Sequence, residues 1–158
     1  MKHLPIVLCA LLALTVIGCP KRQTVTTVPA PPSIEIEAPS SDDLPDVLFD
    51  FDMAAIRQDQ MPTMQANADV LKKILDVSDI DIMLAGHACP LGTSEYNLAL
   101  SHRRAEAVRN WLTWAGVPAA NITALGFGEE QLLTEDPELY WQNRRVEFHV
   151  QQTNRGKR

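Results

Sequence analysis

Segments with strand periodicity alternate with amphipathic helical segments between residues 46 and 152, and this alternation limits the fold more than any other feature. Apolar residues recur at every second position in some segments and at three- and four-residue steps in others. The predicted strands are 46–52, 79–86, 121–128 and 144–150, and the predicted helices are 61–75, 93–115 and 138–142. The pattern predicts a two-layer α/β or α+β domain of about 105 residues, long enough to bury its own core.

The first 18 residues carry one lysine followed by an apolar run from Leu4 to Ile17. The run is too short to span a bilayer but is typical of a secretory signal peptide. The following "VIGC" resembles the lipobox of bacterial lipoproteins, in which the cysteine is lipidated and becomes the new N-terminus. We therefore predict a lipoprotein signal peptide at 1–18 and lipidation of Cys19. The alternative is an ordinary signal peptide that a cysteine follows by chance.

Residues 19–45 have the composition of a flexible tether, with six prolines from Pro20 to Pro45, several Ser and Thr, and no aromatic residue. Such a segment buries too little apolar surface to fold, and its prolines favour extended conformations. Acyl chains on Cys19 would anchor the chain to a membrane. No acidic residue directly follows Cys19, which favours the outer membrane, with the domain in the periplasm.

The net charge and the cysteine content limit which binding partners we expect for this chain and how its cysteines pair. A formal net charge of -6 disfavours nucleic acid, and the basic residues that close the chain form only a short tail at 153–158. Cys9 would leave with the signal peptide and Cys19 would carry lipid. Cys89 would then be unpaired in an oxidising compartment.

The most informative motif is "GHACPLGTSEYNLALSHRRA" at 86–105, where a turn leads into the long helix. Helix N-termini expose backbone N–H groups, and arginine binds carboxylates in bidentate fashion, so the helix start and Arg104 together would suit one small carboxylate. The alternative, which Arg104 taken alone favours, is a surface or salt-bridged arginine. His87 and Cys89 lack the further ligands that a zinc site needs. The sequence shows no nucleophile beside a base, so we do not expect an enzyme. We also expect no metal or cofactor site.

Four motifs together carry a family resemblance. "FDFD" at 49–52, the 86–105 motif, "GFGEE" at 126–130 and "NRRVEF" at 143–148 occur in the order and spacing of the OmpA-like peptidoglycan-binding domain family, and most closely resemble its lipid-anchored members. The resemblance implies that 46–152 form an α+β domain of the βαβαβ type, with a mixed sheet packed on helices. It also implies non-covalent binding to the peptide stem of peptidoglycan, chiefly to diaminopimelate.

The resemblance further implies which residues form the ligand pocket. The arginine of the helix, here Arg104, takes the carboxylate of diaminopimelate, and a family aspartate at the position of Cys89 takes the ammonium. The implied peptidoglycan-binding residues are Phe51, Asp52, Cys89, Tyr96, Asn97, Leu100, Arg104, Asn143 and Arg145.

The 88–91 loop departs from the family pattern, because "GHACPLGT" stands where members usually have "GHTDERGT". Losing one partner of a desolvated charge pair costs about 2–5 kcal/mol of binding free energy. Three interpretations of Cys89 remain open. The site is weakened but sufficient; a thiolate replaces the carboxylate; or Cys89 forms a disulfide between two chains.

The sequence therefore predicts an outer-membrane lipoprotein that ties the membrane to the cell wall and supports envelope integrity and cell division. Many weak sites held near the wall would act through a high effective concentration. The resemblance also implies a periplasmic partner protein of the Tol system. The alternative is an envelope adaptor whose main ligand is a periplasmic protein.

Overall fold

A computed structural model describes residues 44–153 of this chain. The predicted signal peptide at 1–18, the lipidation site Cys19, nearly all of the predicted tether and the basic tail beyond 153 lie outside the described residues. Between 44 and 153, no helix combines the length and the apolar character that a membrane span requires.

A four-stranded mixed sheet forms one layer of the domain. Its strands are β1 (Val47–Leu48), β2 (Ile80–Gly86), β3 (Ile122–Gly126) and β4 (Arg145–Gln152). The spatial order is β1-β4-β2-β3, with β4 antiparallel to both β1 and β2, and β2 parallel to β3. This arrangement confirms the predicted α+β class with a mixed sheet.

Two helices form the second layer: α1 (Met61–Val77) and α2 (Ser94–Trp114). Short 3-10 helices occupy Gln58–Gln60, Ala119–Asn121 and Pro137–Asn143, the last close to the predicted short helix. The apolar stripes of both helices share one core with alternate residues of β2 and β4. The core includes Met64, Ala68, Leu71, Ile82, Leu84, Ala105, Val108, Leu112, Val146 and Phe148. Gly116, at φ 100°, follows the end of α2, a position where a left-handed conformation favours glycine.

The first strand is much shorter than predicted. Only Val47 and Leu48 pair with β4, and the chain then turns at Phe51 and Asp52, where Asp52 adopts a left-handed φ of 59°. Strand periodicity therefore ends at Phe49, which is buried, while Phe51 is exposed. At the other end, Leu44 is buried in the core, so the folded domain begins before the predicted boundary at residue 46.

The two leucines near the N-terminus of α2 differ in burial: Leu98 is 50% exposed, whereas Leu100 is buried. The difference arises because this end of α2 packs against loops as well as against the sheet. Arg104, one turn after Leu100, is buried with hydrogen bonds to carbonyls of the segments that follow β1 and β2.

A pair of glycines determines how closely α2 approaches the sheet. Gly86 and Gly126 are neighbours across β2 and β3. A Cβ at Gly86 would lie 2.0 Å from the carbonyl oxygen of Ser101, and one at Gly126 would lie 2.7 Å from the backbone nitrogen of His102. The Ser101 hydroxyl accepts a hydrogen bond of 2.9 Å from the backbone N–H of Gly128. The backbone of α2 therefore rests directly on the ends of both strands.

We predict that Gly86→Ala destabilises the fold by roughly 3 kcal/mol or more, because the added methyl group meets backbone that cannot rotate away. Urea unfolding monitored by circular dichroism measures the change. Thr123→Ala, at an exposed position of β3, is the control and should change stability by less than about 0.5 kcal/mol. Equal stability of Gly86→Ala and wild type would contradict the close approach of helix and strand.

Candidate functional site

Arg104 is the centre of the site and is the largest fully buried side chain of the described residues, at 0% exposure. Its Nε donates to the carbonyl oxygen of Met53 at 2.8 Å, Nη1 to that of His87 at 2.9 Å, and Nη2 to that of Asp50 at 3.0 Å. A guanidinium has five N–H donors, so two remain. One side chain thus joins α2 to the segment after β1 and to the residue that follows β2.

The charge of Arg104 survives this burial. Burial lowers its pKa to about 10, an effect that Arg144 reinforces and that Cys89, Asp52 and Tyr96 oppose. The guanidinium is therefore protonated at neutral pH. Arg144, Cys89, Asp52 and Tyr96 are thus the residues whose charged forms affect the pKa of Arg104.

Asp52 and Tyr96 form the solvent-facing rim. The left-handed conformation of Asp52 places its carboxylate where the Tyr96 hydroxyl donates a hydrogen bond to it. That hydrogen bond raises the pKa of Tyr96. The guanidinium of Arg103 lies 5.9 Å from the centre of the Tyr96 ring, a cation–π distance. Phe51 and Met53, each 56% exposed, flank Asp52.

Arg144 is a site residue that the sequence analysis missed. Its Nε donates to the carbonyl oxygen of Phe49 at 3.1 Å, and its side chain is half-buried. It acts electrostatically on Arg104. We call Asp52, Cys89, Tyr96, Arg104 and Arg144 together the Arg104 site.

The predicted residue Arg145 lies elsewhere. Its Nε donates to Glu147 at 2.7 Å, and it forms an ion pair of 3.6 Å with Asp46. Adjacent strand residues point to opposite faces of a sheet, and Val146 and Phe148 of β4 face the core. Arg145 and Glu147 therefore occupy the sheet face away from the helices. This alternation was the signal that could have separated the two arginines of "NRRVEF".

Asn143 and Asn97 have structural partners of their own. The buried Asn143 amide oxygen accepts from the backbone N–H groups of Leu133 and Thr134, and its Nδ2 donates to the Thr134 carbonyl. The buried Asn97 donates to Glu129 at 2.6 Å. These asparagines hold the 126–134 region in place, whereas Leu100 is buried one turn before Arg104.

The start of α2 is separate from Arg104. Thr93 caps the helix, and the Glu129 carboxylate accepts hydrogen bonds from Ser94 at 2.7 Å and from Asn97. The Glu129 carboxylate therefore occupies the position at the helix N-terminus that favours a negative charge. Arg104 lies ten residues further, about 15 Å along the helix axis. The structure thus separates the two donors that the sequence analysis combined into one carboxylate site.

Cys89 is 4% exposed, and the neighbouring Ala88 is buried as well. While this burial persists, the sulfur cannot meet the thiol of a second chain, which disfavours the intermolecular disulfide. The other two interpretations of Cys89 stay predictions. No carboxylate lies on the 88–91 segment, whose exposed member is Leu91.

His87 connects the Arg104 site to the opposite face of the sheet. Its carbonyl accepts from Arg104, but its fully buried ring stacks on Phe127 at 5.6 Å. Neither ring nitrogen has a hydrogen-bond partner, and Nε2 lies 3.7 Å from a Glu147 oxygen. Burial and the charge of Arg145 lower the pKa of His87 to about 4. The ring is therefore neutral at neutral pH.

This depressed pKa predicts that stability falls with acidity. Between the unfolded pKa of 6.5 and the folded value of about 4, the unfolded chain binds more protons. The contribution of His87 is thus complete above pH 6.5 and declines towards pH 4, by about 3 kcal/mol at most. Urea unfolding at several pH values measures it. His87→Phe should flatten the profile, while the control His149→Gln should retain it; a profile that His87→Phe leaves unchanged would contradict the assignment.

The family comparison agrees with the motifs: residues 48–145 match the OmpA family. The chain is 38% identical over 102 residues to the peptidoglycan-associated lipoprotein of Agrobacterium fabrum, an alignment that covers 63% of this chain and 56% of the relative. It is 35% identical over 108 residues to that of Legionella pneumophila, covering 67% of this chain and 60% of the relative. The chain thus spans less than two thirds of the length of these relatives.

Solved structures show the same fold. The crystal structure of the peptidoglycan-associated lipoprotein from Burkholderia pseudomallei has a TM-score of 0.61 at 37% identity, covering 67% of this chain and 89% of that one. The C-terminal domain of Helicobacter pylori MotB has a TM-score of 0.62 at 20% identity, covering 70% and 86%, which shows similarity of fold alone. Because the family match extends over more than half of the sequence, this chain belongs to the OmpA family.

Proposed function

We propose that this chain is an outer-membrane lipoprotein that binds the peptide stem of peptidoglycan non-covalently at the Arg104 site and ties the outer membrane to the cell wall. The names of its relatives and of the Burkholderia structure support this function. The observation that carries it is that Arg104 and Arg144 donate to the carbonyl oxygens of two adjacent residues, Asp50 and Phe49, beside a rim formed by Asp52 and Tyr96.

The two arginines favour an anionic ligand because they are like charges without a shared anion. Arg104 donates to three carbonyls and Arg144 donates to a fourth, and within residues 44–153 neither forms an ion pair with a carboxylate. Arg144 lowers the pKa of Arg104, which reflects their mutual repulsion. A carboxylate placed beside both would relieve that repulsion and accept charge-assisted hydrogen bonds. The carboxylate of diaminopimelate is such a group.

Access to Arg104 requires a local movement, since its side chain is fully buried. Phe51 and Met53 lie in the segment that Arg104 contacts through its backbone carbonyls, and both are exposed and outside any helix or strand. We propose that the ligand displaces these side chains, contacts the half-buried Arg144 and reaches the two unused N–H groups of Arg104. Tyr96 and Asp52 would then contact the rest of the stem.

The surroundings of the Cys89 thiol also favour a binding role over a catalytic one. The ring nitrogens of His87 have no hydrogen-bond partner, so Cys89 and His87 do not form a nucleophile–base pair. With no acid on the 88–91 loop, each site would bind weakly. Lipid-anchored copies close to the wall would compensate through a high effective ligand concentration. We further propose that the protein supports envelope integrity and cell division and that it has a periplasmic partner protein of the Tol system.

The neutral 88–91 segment also favours a second candidate, an envelope adaptor whose main ligand is a periplasmic protein. The two candidates differ in whether the mature protein binds isolated cell walls. An adaptor that has lost peptidoglycan binding would stay in the supernatant when sacculi are sedimented.

Co-sedimentation of the mature full-length protein with isolated sacculi tests the proposal. We expect wild type to sediment and Arg144→Ala to bind about tenfold more weakly, because one charge-assisted hydrogen bond is lost. Arg109→Ala is the matched control. It removes the same charge from a part-exposed arginine of α2 that pairs with Glu106, and it should sediment like wild type.

Arg104→Ala should also reduce binding, provided that its circular dichroism spectrum and melting temperature show a folded domain. If Arg144→Ala and a folded Arg104→Ala both sediment like wild type, the proposed site is wrong. If wild type itself stays in the supernatant, the adaptor function is favoured.

A further inference from the structure

The inner wall of the Arg104 site consists of the Arg104 and Arg144 guanidinium groups and the four backbone carbonyls that they contact. It has many hydrogen-bond donors and few free acceptors. The carbonyl oxygens of Asp50, Met53 and His87 already accept from Arg104, and that of Phe49 accepts from Arg144. The four backbone acceptors that could have received a cation are thus engaged by arginines. What remains for a ligand on this wall is guanidinium N–H groups.

The 88–91 segment, which directly follows His87, carries no carboxylate. Ala88 and Cys89 are buried, and Pro90 and Leu91 complete an uncharged segment. Cys89 is buried and lies two residues after His87, whose carbonyl oxygen accepts from Arg104. A thiol that keeps its proton at this position would accept hydrogen bonds only weakly.

The acids nearest to the site face water. The Asp52 carboxylate is exposed and accepts a hydrogen bond from Tyr96. The side chain of Asp50 is 66% exposed and lies 3.5 Å from Arg57. An ammonium that paired with either acid would remain hydrated, and exposed ion pairs contribute little binding free energy.

An amine at the inner wall would therefore behave very differently in its free and acylated forms. A free ammonium would lose water of hydration beside two guanidinium groups and find no acceptor. Acylation removes that charge and adds a carbonyl oxygen, which guanidinium N–H groups can bind. The wall is thus complementary to an amide and not to an ammonium.

We infer that the Arg104 site prefers stem peptides whose diaminopimelate side-chain amine is acylated, as it is in cross-linked wall, and that Cys89 determines this preference. The inference rests on the proposed function and specifies its substrate class. The protein would then bind cross-linked regions of the wall in preference to uncross-linked stems.

Calorimetric titration of the mature full-length protein with two matched ligands tests the inference. One ligand is a soluble N-acetylmuramoyl tripeptide with a free diaminopimelate amine, and the other is the same molecule with that amine acetylated. We expect the acetylated ligand to bind about tenfold or more tightly. Cys89→Asp should reverse the order, because its carboxylate would pair with the ammonium. Cys89→Ser, which stays neutral, should keep the wild-type order.

The wild-type comparison is decisive by itself, since it requires no variant to fold. Equal affinities, or tighter binding of the free amine, would overturn the preference and leave the proposed function standing. Failure of both ligands to bind wild type would overturn the proposed function, and the inference with it. Retention of the acetylated-ligand preference by a folded Cys89→Asp would overturn the assignment of specificity to Cys89.

Discussion

Three backbone carbonyls surround the buried guanidinium of Arg104, and the geometry of the whole site depends on these contacts. They join α2 to the turn at 50–53 and to His87 at the end of β2. A hydrogen bond to a charged group contributes about 1.5–3 kcal/mol, so the set outweighs the cost of holding Asp52 in a left-handed conformation. The same residue that gives the site its charge therefore also shapes it.

The sheet makes these contacts of Arg104 possible because the backbone of α2 lies very close to its strands. Gly86 and Gly126 bring the backbone around Ser101 onto the ends of two parallel strands. The helix then directs Arg104 into the space between the loops that follow β1 and β2. Glu129 binds the start of the same helix, and no carboxylate of residues 44–153 forms an ion pair with Arg104 or Arg144. The fold and the positive charges of the two arginines thus favour binding of an acidic ligand at the Arg104 site.

Periodicity predicted the order of strands and helices, but it could not locate features that depend on tertiary contacts. The segment "DVLFDFD" alternates throughout, yet Asp52 leaves the strand because Arg104 and Tyr96 hold the turn. The motif "NRRVEF" predicted a basic strand start, and strand alternation separates its two arginines, but the contact of Arg144 with the Phe49 carbonyl joins segments 95 residues apart and is seen only in the structure. The role of Glu129 depends on how two distant segments meet, which sequence spacing does not encode.

The central claim is that the paired guanidinium groups of Arg104 and Arg144 receive an acid group of the peptidoglycan stem. Its most direct test is nuclear magnetic resonance of the mature protein with labelled arginine side chains, titrated with a soluble diaminopimelate-containing stem peptide. The account predicts saturable shifts of the Nε–H signals of Arg104 and Arg144, with that of Arg109 unchanged. Saturable binding that leaves both signals in place would contradict it.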